Sequence, residues 1–311
     1  MSIKDKIYST LIPVSHYFKE IIWKYKWFKA PSNKSSFKGI ISCVDGRVWH
    51  GGMCDRFKGI ISSFAYCKQN NIDFRIKYTY PFELSEYLIP NKYDWILKDN
   101  EFSENIKESD ILYLIAEKYS NRFKIPKRKQ IHVYANRDYI KDEDPHKWGD
   151  LFNELFKPSL KLQDAITRLH FDDYIAVVFR FQNLIGDFEE YSFSALPEEE
   201  RNKLLSKCKQ SVIDFRNSYP FYKVLVTSDS KTFLDIVKDL DGCYTIPGEL
   251  VHIDAKGSKD KNDAYLKSFV DFYMISKAKK VFCVGTDIMY PSEFPMYAAK
   301  INNVEFQRVR I

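Results

Sequence analysis

The chain has 311 residues, 45% hydrophobic and 29% charged, which suits one large or two ordinary globular domains and excludes a disordered, collagen-like or repeat protein. Its net charge of +6 is local: residues 1–40 carry eight lysines against Asp5 and Glu20, leaving the rest neutral, so no basic nucleic-acid surface runs through the body of the protein. No apolar run approaches the ~20 residues of a membrane span.

From Pro13 onward, Val14, Tyr17 or Phe18, Ile21, Ile22, Tyr25 and Phe28 recur at helical spacing, with Trp23 and Trp27 beside Lys19, Lys24 and Lys26. An aromatic, lysine-rich amphipathic helix fits an anionic membrane surface. It equally packs its apolar face on the domain and leaves its lysines in water, and that second arrangement is the expectation carried forward.

Residues Lys38 to Trp49 include Ile40, Ile41, Cys43, Val44 and Val48, an apolar stretch of strand character. The segment "HGGMCDRFKGI" then gives a glycine turn, and Phe57, Ile60, Ile61, Phe64 and Ala65 fall on one helix face. Beyond Asn70-Asn71, Asp73 to Tyr78 alternates polar and apolar residues as a second strand. The whole reads as a βαβ unit whose turn lies where α/β proteins bind ligands. Gly51-Gly52-Met53-Cys54-Asp55-Arg56 is neither a dinucleotide fingerprint nor a Walker loop. Two roles fit it: a plain turn with Asp55 favouring the helix dipole, or a backbone opened to a ligand.

Ser109 to Tyr119 is predicted as a helix and Gln130 to Ala135 as a strand, and Lys141 to His146 is a charged loop. A domain boundary is expected near residues 140–155, giving a basic helical segment (1–37), an N-terminal α/β domain (38–150) and a C-terminal one (151–311). In the second half, strands at Tyr174–Arg180, Lys223–Asp229 and Lys280–Gly285 alternate with helices at Pro197–Arg216, Lys231–Leu240 and Ala264–Ser276. Continuous apolar strands between helices imply a mostly parallel sheet. Arg180, Thr227-Ser228-Asp229 and Gly285-Thr286 all fall at strand carboxyl ends, the ligand side of such sheets.

The six cysteines form no CxxC pair and read as buried free thiols, and no leader-like segment is visible, so a cytoplasmic protein is expected. The six histidines form no zinc pattern. Asp142-Glu143-Asp144 matches the Asp-x-Asp string of metal-dependent GT-A transferases, but Pro145 and the surrounding charges suit a solvated loop. His252 and Asp254 could contribute to a site, with a structural histidine as the default reading.

In order and spacing, the motifs of residues 38–311 resemble the fucosyltransferase superfamily of GT-B fold, which includes α1,2-, α1,6- and protein O-fucosyltransferases. "HGGMCDRFKGI" is similar to its first motif, "YIAVVFRFQNLIGDF" to the motif whose arginine contacts the donor pyrophosphate, "LVTSDS" to its Ser/Thr-Asp strand end, and the run from Tyr265 to Ile301 to its last motif. The resemblance implies two Rossmann-like domains facing across a cleft and inverting, metal-independent transfer of fucose from GDP-fucose to a glycan hydroxyl, with no cofactor and no nucleic-acid partner.

On this resemblance Arg180 stabilises the leaving diphosphate, because a forked guanidinium meets growing phosphate charge without a metal. Asp271 accepts the two guanine N–H donors; Ser228, Asp229, Ser292, Glu293 and Phe294 complete the donor site; and Gly51, Gly52 and Arg56 line the cleft. A base for the acceptor hydroxyl falls on Asp55, with Asp45 and Glu83 as rivals. Each has a structural alternative: a salt bridge for Arg180, an exposed helix carboxylate for Asp271, an N-cap for Asp229 and for Ser292. The chain departs from the family pattern where Val178-Phe179-Arg180 replaces His-x-Arg, where the Gly186-Asp187 pair sits farther from Arg180, and where Glu293 follows Ser292. Another nucleotide-sugar donor, or a fold that kept binding and lost turnover, is the competing reading.

Overall fold

The computed structural model describes residues 3–29, 35–115, 122–140, 144, 146–188, 194–251, 253, 263 and 265–311. The chain divides into two compact units, Met1–Lys157 and Pro158–Ile311. The Asp142-Glu143 part of the Asp-x-Asp string, and His252 and Asp254, lie outside the described residues.

The first unit runs α1 (Ile3–Trp27), β1 (Gly39–Val44), α2 (Met53–Gln69), β2 (Phe74–Tyr78), β3 (Leu88–Pro90), β4 (Ser109–Leu114), β5 (Gln130–Ala135) and α3 (Lys147–Leu155), with β6 (Phe156–Pro158) at the join. Its sheet has the order β2-β1-β5-β4, every pair parallel. Central β1 and β5 are buried at every position, whereas edge β2 alternates buried and half-buried residues, the difference expected between two-sided and one-sided burial.

The predicted helix over Ser109 to Tyr119 is corrected: Ser109–Leu114 is strand β4, and 116–119 lie outside the described residues. Ile111-Leu-Tyr-Leu114 is a short continuous apolar run, and periodicity cannot separate a buried strand from a buried helix there.

The orientation of α1 is also corrected. Val14, Tyr17, Phe18, Ile21, Ile22 and Tyr25, the face expected against the domain, are exposed, and only Phe28 of that set is buried. The inward face is His16, Glu20, Trp23 and Trp27. The reason is the surface it covers. Edge strand β4 offers the Tyr113 N–H, taken by Glu20 Oε1 at 2.7 Å, and the Tyr113 ring, met edge-on by His16 and Trp23 at 4.7 Å each. A carboxylate and flat rings satisfy such an edge better than aliphatic chains.

The second unit runs α4 (Leu160–Thr167), β7 (Tyr174–Phe179), α5 (Glu198–Ser218), β8 (Lys223–Ser228), α6 (Lys231–Val237), β9 (Cys243–Thr245), α7 (Leu266–Ser276), β10 (Val281–Gly285), α8 (Phe294–Ile301) and β11 (Phe306–Arg310). Its sheet order is β11-β10-β7-β8-β9, again parallel throughout. Ile175, Val177 and Phe179 of β7 pack with Val224 and Val226 of β8, Cys208 and Val212 of α5 and Phe233 of α6. The protein is thus α/β with parallel sheets in both units, as the alternating pattern requires.

Candidate functional site

Strand order gives each unit a topological switch point, the place where open α/β sheets bind ligands. In the second, the chain leaves central β7 outward through β8 and β9, then returns to place β10 on the other side of β7. Such a switch point splays the connecting loops apart and opens a crevice outside the carboxyl ends of the two strands. Arg180 follows β7 and Thr286 follows β10 at this point.

The polar groups there are built around one carboxylate. Asp229, directly after β8, accepts the Phe181 N–H at Oδ1 (2.8 Å) and the Gln182 N–H at Oδ2 (2.7 Å). Its Oδ2 also lies 2.9 Å from Arg180 Nη1. Burial pushes the Asp229 carboxyl above its ordinary value, and Arg180 and the two backbone donors act in the opposite sense. Gln182 is buried with φ +53°, a left-handed conformation that side chains adopt at a cost, and Asp229 holds it there. The guanidinium of Arg180 lies 4.9 Å from the Phe188 ring centroid and is one-fifth exposed (21%).

Asp229 is not the cap of α6. That role belongs to Ser230, whose Oγ accepts from Phe233 N. Asp187 Oδ2 accepts both the Ser230 hydroxyl (2.9 Å) and the Thr232 N–H (2.7 Å), so the "IGDF" carboxylate fills the α6 N-terminus and closes it to another anion. Ser228 is buried, and its Oγ accepts from Ser230 N at 3.1 Å.

At α8 the Ser292 Oγ accepts from Phe294 N at 3.2 Å, and Glu293 occupies the N-cap position. Pro295 in the first turn offers no N–H. The Phe294 ring packs on Phe272. Two hydroxyls, Thr227 Oγ1 and Thr286 Oγ1, are buried without a hydrogen-bond partner among the described residues. A buried polar group left unmade costs about 1–3 kcal/mol, an expense expected where a ligand supplies the partner.

Asp271 sits within α7, and both its oxygens take Lys267 Nζ, at 2.9 and 2.7 Å. Burial raises its carboxyl and Lys267 opposes the shift. It is therefore no exposed helix carboxylate. It holds an internal ion pair that a guanine base would have to share or displace. The i, i+4 spacing of Lys267 and Asp271 was the readable signal for that pair. Gln182 had no comparable sequence signal, and Asp187, visible only as part of the Gly186-Asp187 pair, could not be given its partners, because both roles depend on where β8 delivers its end.

In the first unit the switch lies between β1 and β5. Asp45 follows β1; its side chain is buried, accepts the Tyr134 hydroxyl at 3.1 Å and lies 3.5 Å from Arg47 Nε and 3.8 Å from Lys77 Nζ. Glu83 has its carboxyl raised by burial, with Glu86 adding to the effect. Asp55 Oδ2 accepts the Gly52 N–H at 3.2 Å, and its Oδ1 lies 2.7 Å from Lys58 Nζ.

Arg56 is 1% exposed, and its guanidinium donates to Gly51 O, the Tyr78 hydroxyl and Tyr80 O. It braces the turn from beneath and does not line an open surface, which departs from the expectation for it. Of the two glycines, Gly51 needs its φ of +79°; Gly52 is at an ordinary φ of −65° with open space where a Cβ would point.

A cavity of about 350 Å³ lies at the amino end of β7, lined by residues such as Gln163, Thr167, Asp173 and Lys277, away from the strand ends that carry Arg180 and Thr286. Among the described residues no group of His, Cys, Asp and Glu side chains is arranged to hold a metal ion.

No protein-family model and no curated protein matches this sequence. Among solved structures the chain is similar to POFUT1 in its apo form, at 10% identity and TM-score 0.49 over 89% of this chain and 99% of that one. It is similar to POFUT1 in complex with GDP at 11% identity and TM-score 0.49 over the same shares, 89% and 99%. Against POFUT1 in complex with GDP-fucose the identity is 10% and the TM-score 0.33, over 88% and 73%.

Proposed function

We propose that this chain is a glycosyltransferase whose second unit binds a nucleoside-diphosphate sugar, GDP-fucose on the motif resemblance, and transfers the sugar with inversion and without a metal. The observation that carries the reading is Arg180: a partly exposed guanidinium at the β7/β10 switch point, fixed by Asp229.

In such a transfer the acceptor oxygen forms a bond to C1 of the sugar as the C1–O bond to diphosphate breaks. The electron pair leaves on a phosphate oxygen. Arg180 is held in advance, so its forked N–H donors meet that charge without reorganising. Thr227 near the end of β8, and Thr286 and Ser292 beyond the end of β10, would supply hydroxyls, and Asp271 reads the base by exchanging Lys267 for the guanine N–H pair. On the acceptor side Asp55 takes the proton of the attacking hydroxyl. Its half-exposed carboxylate, 36% accessible, supports that choice over the buried Asp45.

The test is calorimetric titration with GDP, GDP-fucose, GDP-mannose and UDP-glucose in EDTA, on wild type and Arg180→Ala. Guanine-selective binding that the variant loses supports the reading. No guanine-nucleotide binding sinks it, and tight GDP-fucose binding with neither hydrolysis nor transfer identifies a binding protein instead.

A further inference from the structure

The outward face of α1 is exposed, and among the described residues none of its apolar side chains joins the cluster formed by Phe28, Tyr113 and Tyr134. At about 100° per residue, Val14, Tyr17, Phe18, Ile21, Ile22 and Tyr25 spread over roughly 140° of the helix circumference as one continuous ridge. Ile22 is 61% exposed and Tyr25 72%. His16, Glu20, Trp23 and Trp27 occupy the opposite arc and are committed to β4 and its surroundings. Single exposed apolar residues are ordinary, but six in register along one helix form a patch that needs an occupant.

The charges beside the ridge indicate which occupant. Lys26 is exposed along one flank, and Lys19 beside it is exposed with its Nζ 5.3 Å from the Tyr113 ring centroid, within a side-chain rotation of the ridge. Between Val14 and Trp27 the sole carboxylate is Glu20, which is turned inward and taken by Tyr113 N and Arg122. On the neighbouring surface of the unit, Lys124 is exposed and close enough to act electrostatically on both Glu20 and Lys24. Among the described residues Lys19, Lys26 and Lys124 are the exposed charges near the ridge, while Lys24 on its other flank is paired with Asp110 at 2.6 Å; three of the six ridge residues are aromatic, two of them tyrosines with a polar tip for the headgroup level.

We propose that this face of α1 docks the protein onto an anionic lipid surface. The helix lies in the plane of the interface with its ridge in the acyl boundary and Lys19 and Lys26 among the headgroups, while its inner face stays on β4. No helix among the described residues is long and apolar enough to cross a membrane, so the contact is lateral. A polyanion such as nucleic acid would meet the lysines and leave the ridge wet. This surface is independent of the donor site, which lies in the other unit.

The experiment is flotation of the full chain with phosphatidylcholine vesicles, with and without phosphatidylserine, using wild type, Ile22→Asp, Phe18→Asp, Lys26→Glu and the control Phe221→Asp, whose ring is 92% exposed in the second unit. All four substituted side chains are exposed, so unchanged melting curves verify that each variant is folded. Expected are at least about tenfold tighter binding to the anionic vesicles, loss in Ile22→Asp and Phe18→Asp, a severalfold loss in Lys26→Glu, and no change in Phe221→Asp. Equal behaviour of Ile22→Asp and wild type on anionic vesicles overturns the proposal. So does a dimer by light scattering that Ile22→Asp dissolves, with no vesicle binding, because the ridge would then belong to a second copy.

Discussion

Arg180 Nη1 lies 2.9 Å from Asp229 Oδ2, and the same carboxylate fixes the Phe181-Gln182 backbone that follows the arginine. One side chain at the end of β8 thus sets both the direction of the guanidinium and the path of the chain beyond it. Arg180→Ala is expected to weaken GDP binding by about 1.5–3 kcal/mol, roughly 10- to 150-fold, and Arg180→Lys nearly as much because the fork is lost. Asp229→Asn should cost stability as well as binding, since one oxygen that now serves two partners becomes a donor. Calorimetry with GDP paired with thermal melts separates these effects; unchanged GDP affinity in a folded Arg180→Ala protein would reduce the pair to a structural salt bridge.

The adjacent glycines should behave differently. A Cβ on Gly51 would sit at positive φ and 2.6 Å from Asp55 Oδ2, so Gly51→Ala is expected to destabilise by about 1–2 kcal/mol. Gly52→Ser adds a better cap in open space and should be neutral or stabilising by up to about 0.5 kcal/mol. Gly59 is the severest case: a Cβ would meet Ala135 O at 2.0 Å, and the better helix propensity of alanine does not offset a backbone collision of about 2–3 kcal/mol. Urea midpoints of the three variants check the ranking.

Acid should unfold the first unit through its buried histidines. His50 Nε2 accepts the Gly46 N–H at 3.3 Å, and burial, with Arg56 nearby, holds the ring down to about 3. In the unfolded chain it protonates near 6.5. The unfolded state therefore binds more protons between these values, and the stability that the neutral ring contributes, complete above about pH 6.5, falls by about 1.4 kcal/mol per pH unit as pH drops towards 3. His132, also buried, shifts in the same direction. All five tryptophans lie in the first unit, so their fluorescence follows its unfolding alone. Replacing His50 with Gln should flatten the decline in urea midpoint between about pH 7 and about pH 5; an identical slope would exclude His50 as its source.

Thiol chemistry should be nearly silent in the native protein. Five of the six cysteines are buried, and burial pushes the Cys208 thiol up to about 12 and Cys43 and Cys67 upward as well. A chromogenic thiol reagent is expected to titrate Cys243 first and the others only on unfolding.

The βαβ unit, the three apolar strands of the second half and the rim of polar strand ends were legible because each rests on local pattern: continuous apolar runs for central strands, helical spacing between them. The two edge strands of the second sheet were not. β11 leaves Gln307, Arg308 and Arg310 exposed, and β9 is half-buried throughout, so neither carries the apolar signature of a central strand. The site was legible as a set of positions and not as a set of partners. That Arg180 stands at a strand end follows from the run Tyr174–Phe179; that Asp229 holds it follows only from β7 and β8 lying side by side. The orientation of α1 was misread for a related reason: hydrophobic spacing identifies an apolar face but not what the neighbouring surface asks for, and β4 asks for a carboxylate.

The bond from Glu20 to Tyr113 spans 93 positions of chain, and β4 can receive its own partner only when β5 has formed. A ribosome adding about 5–20 residues per second needs on the order of 5–20 s between emitting the helix and emitting its docking strand. Throughout that interval both sides of α1 are uncovered, aromatic side included. A nascent chain in this window lacks the β4 edge that Glu20, His16 and Trp23 cover in the finished protein.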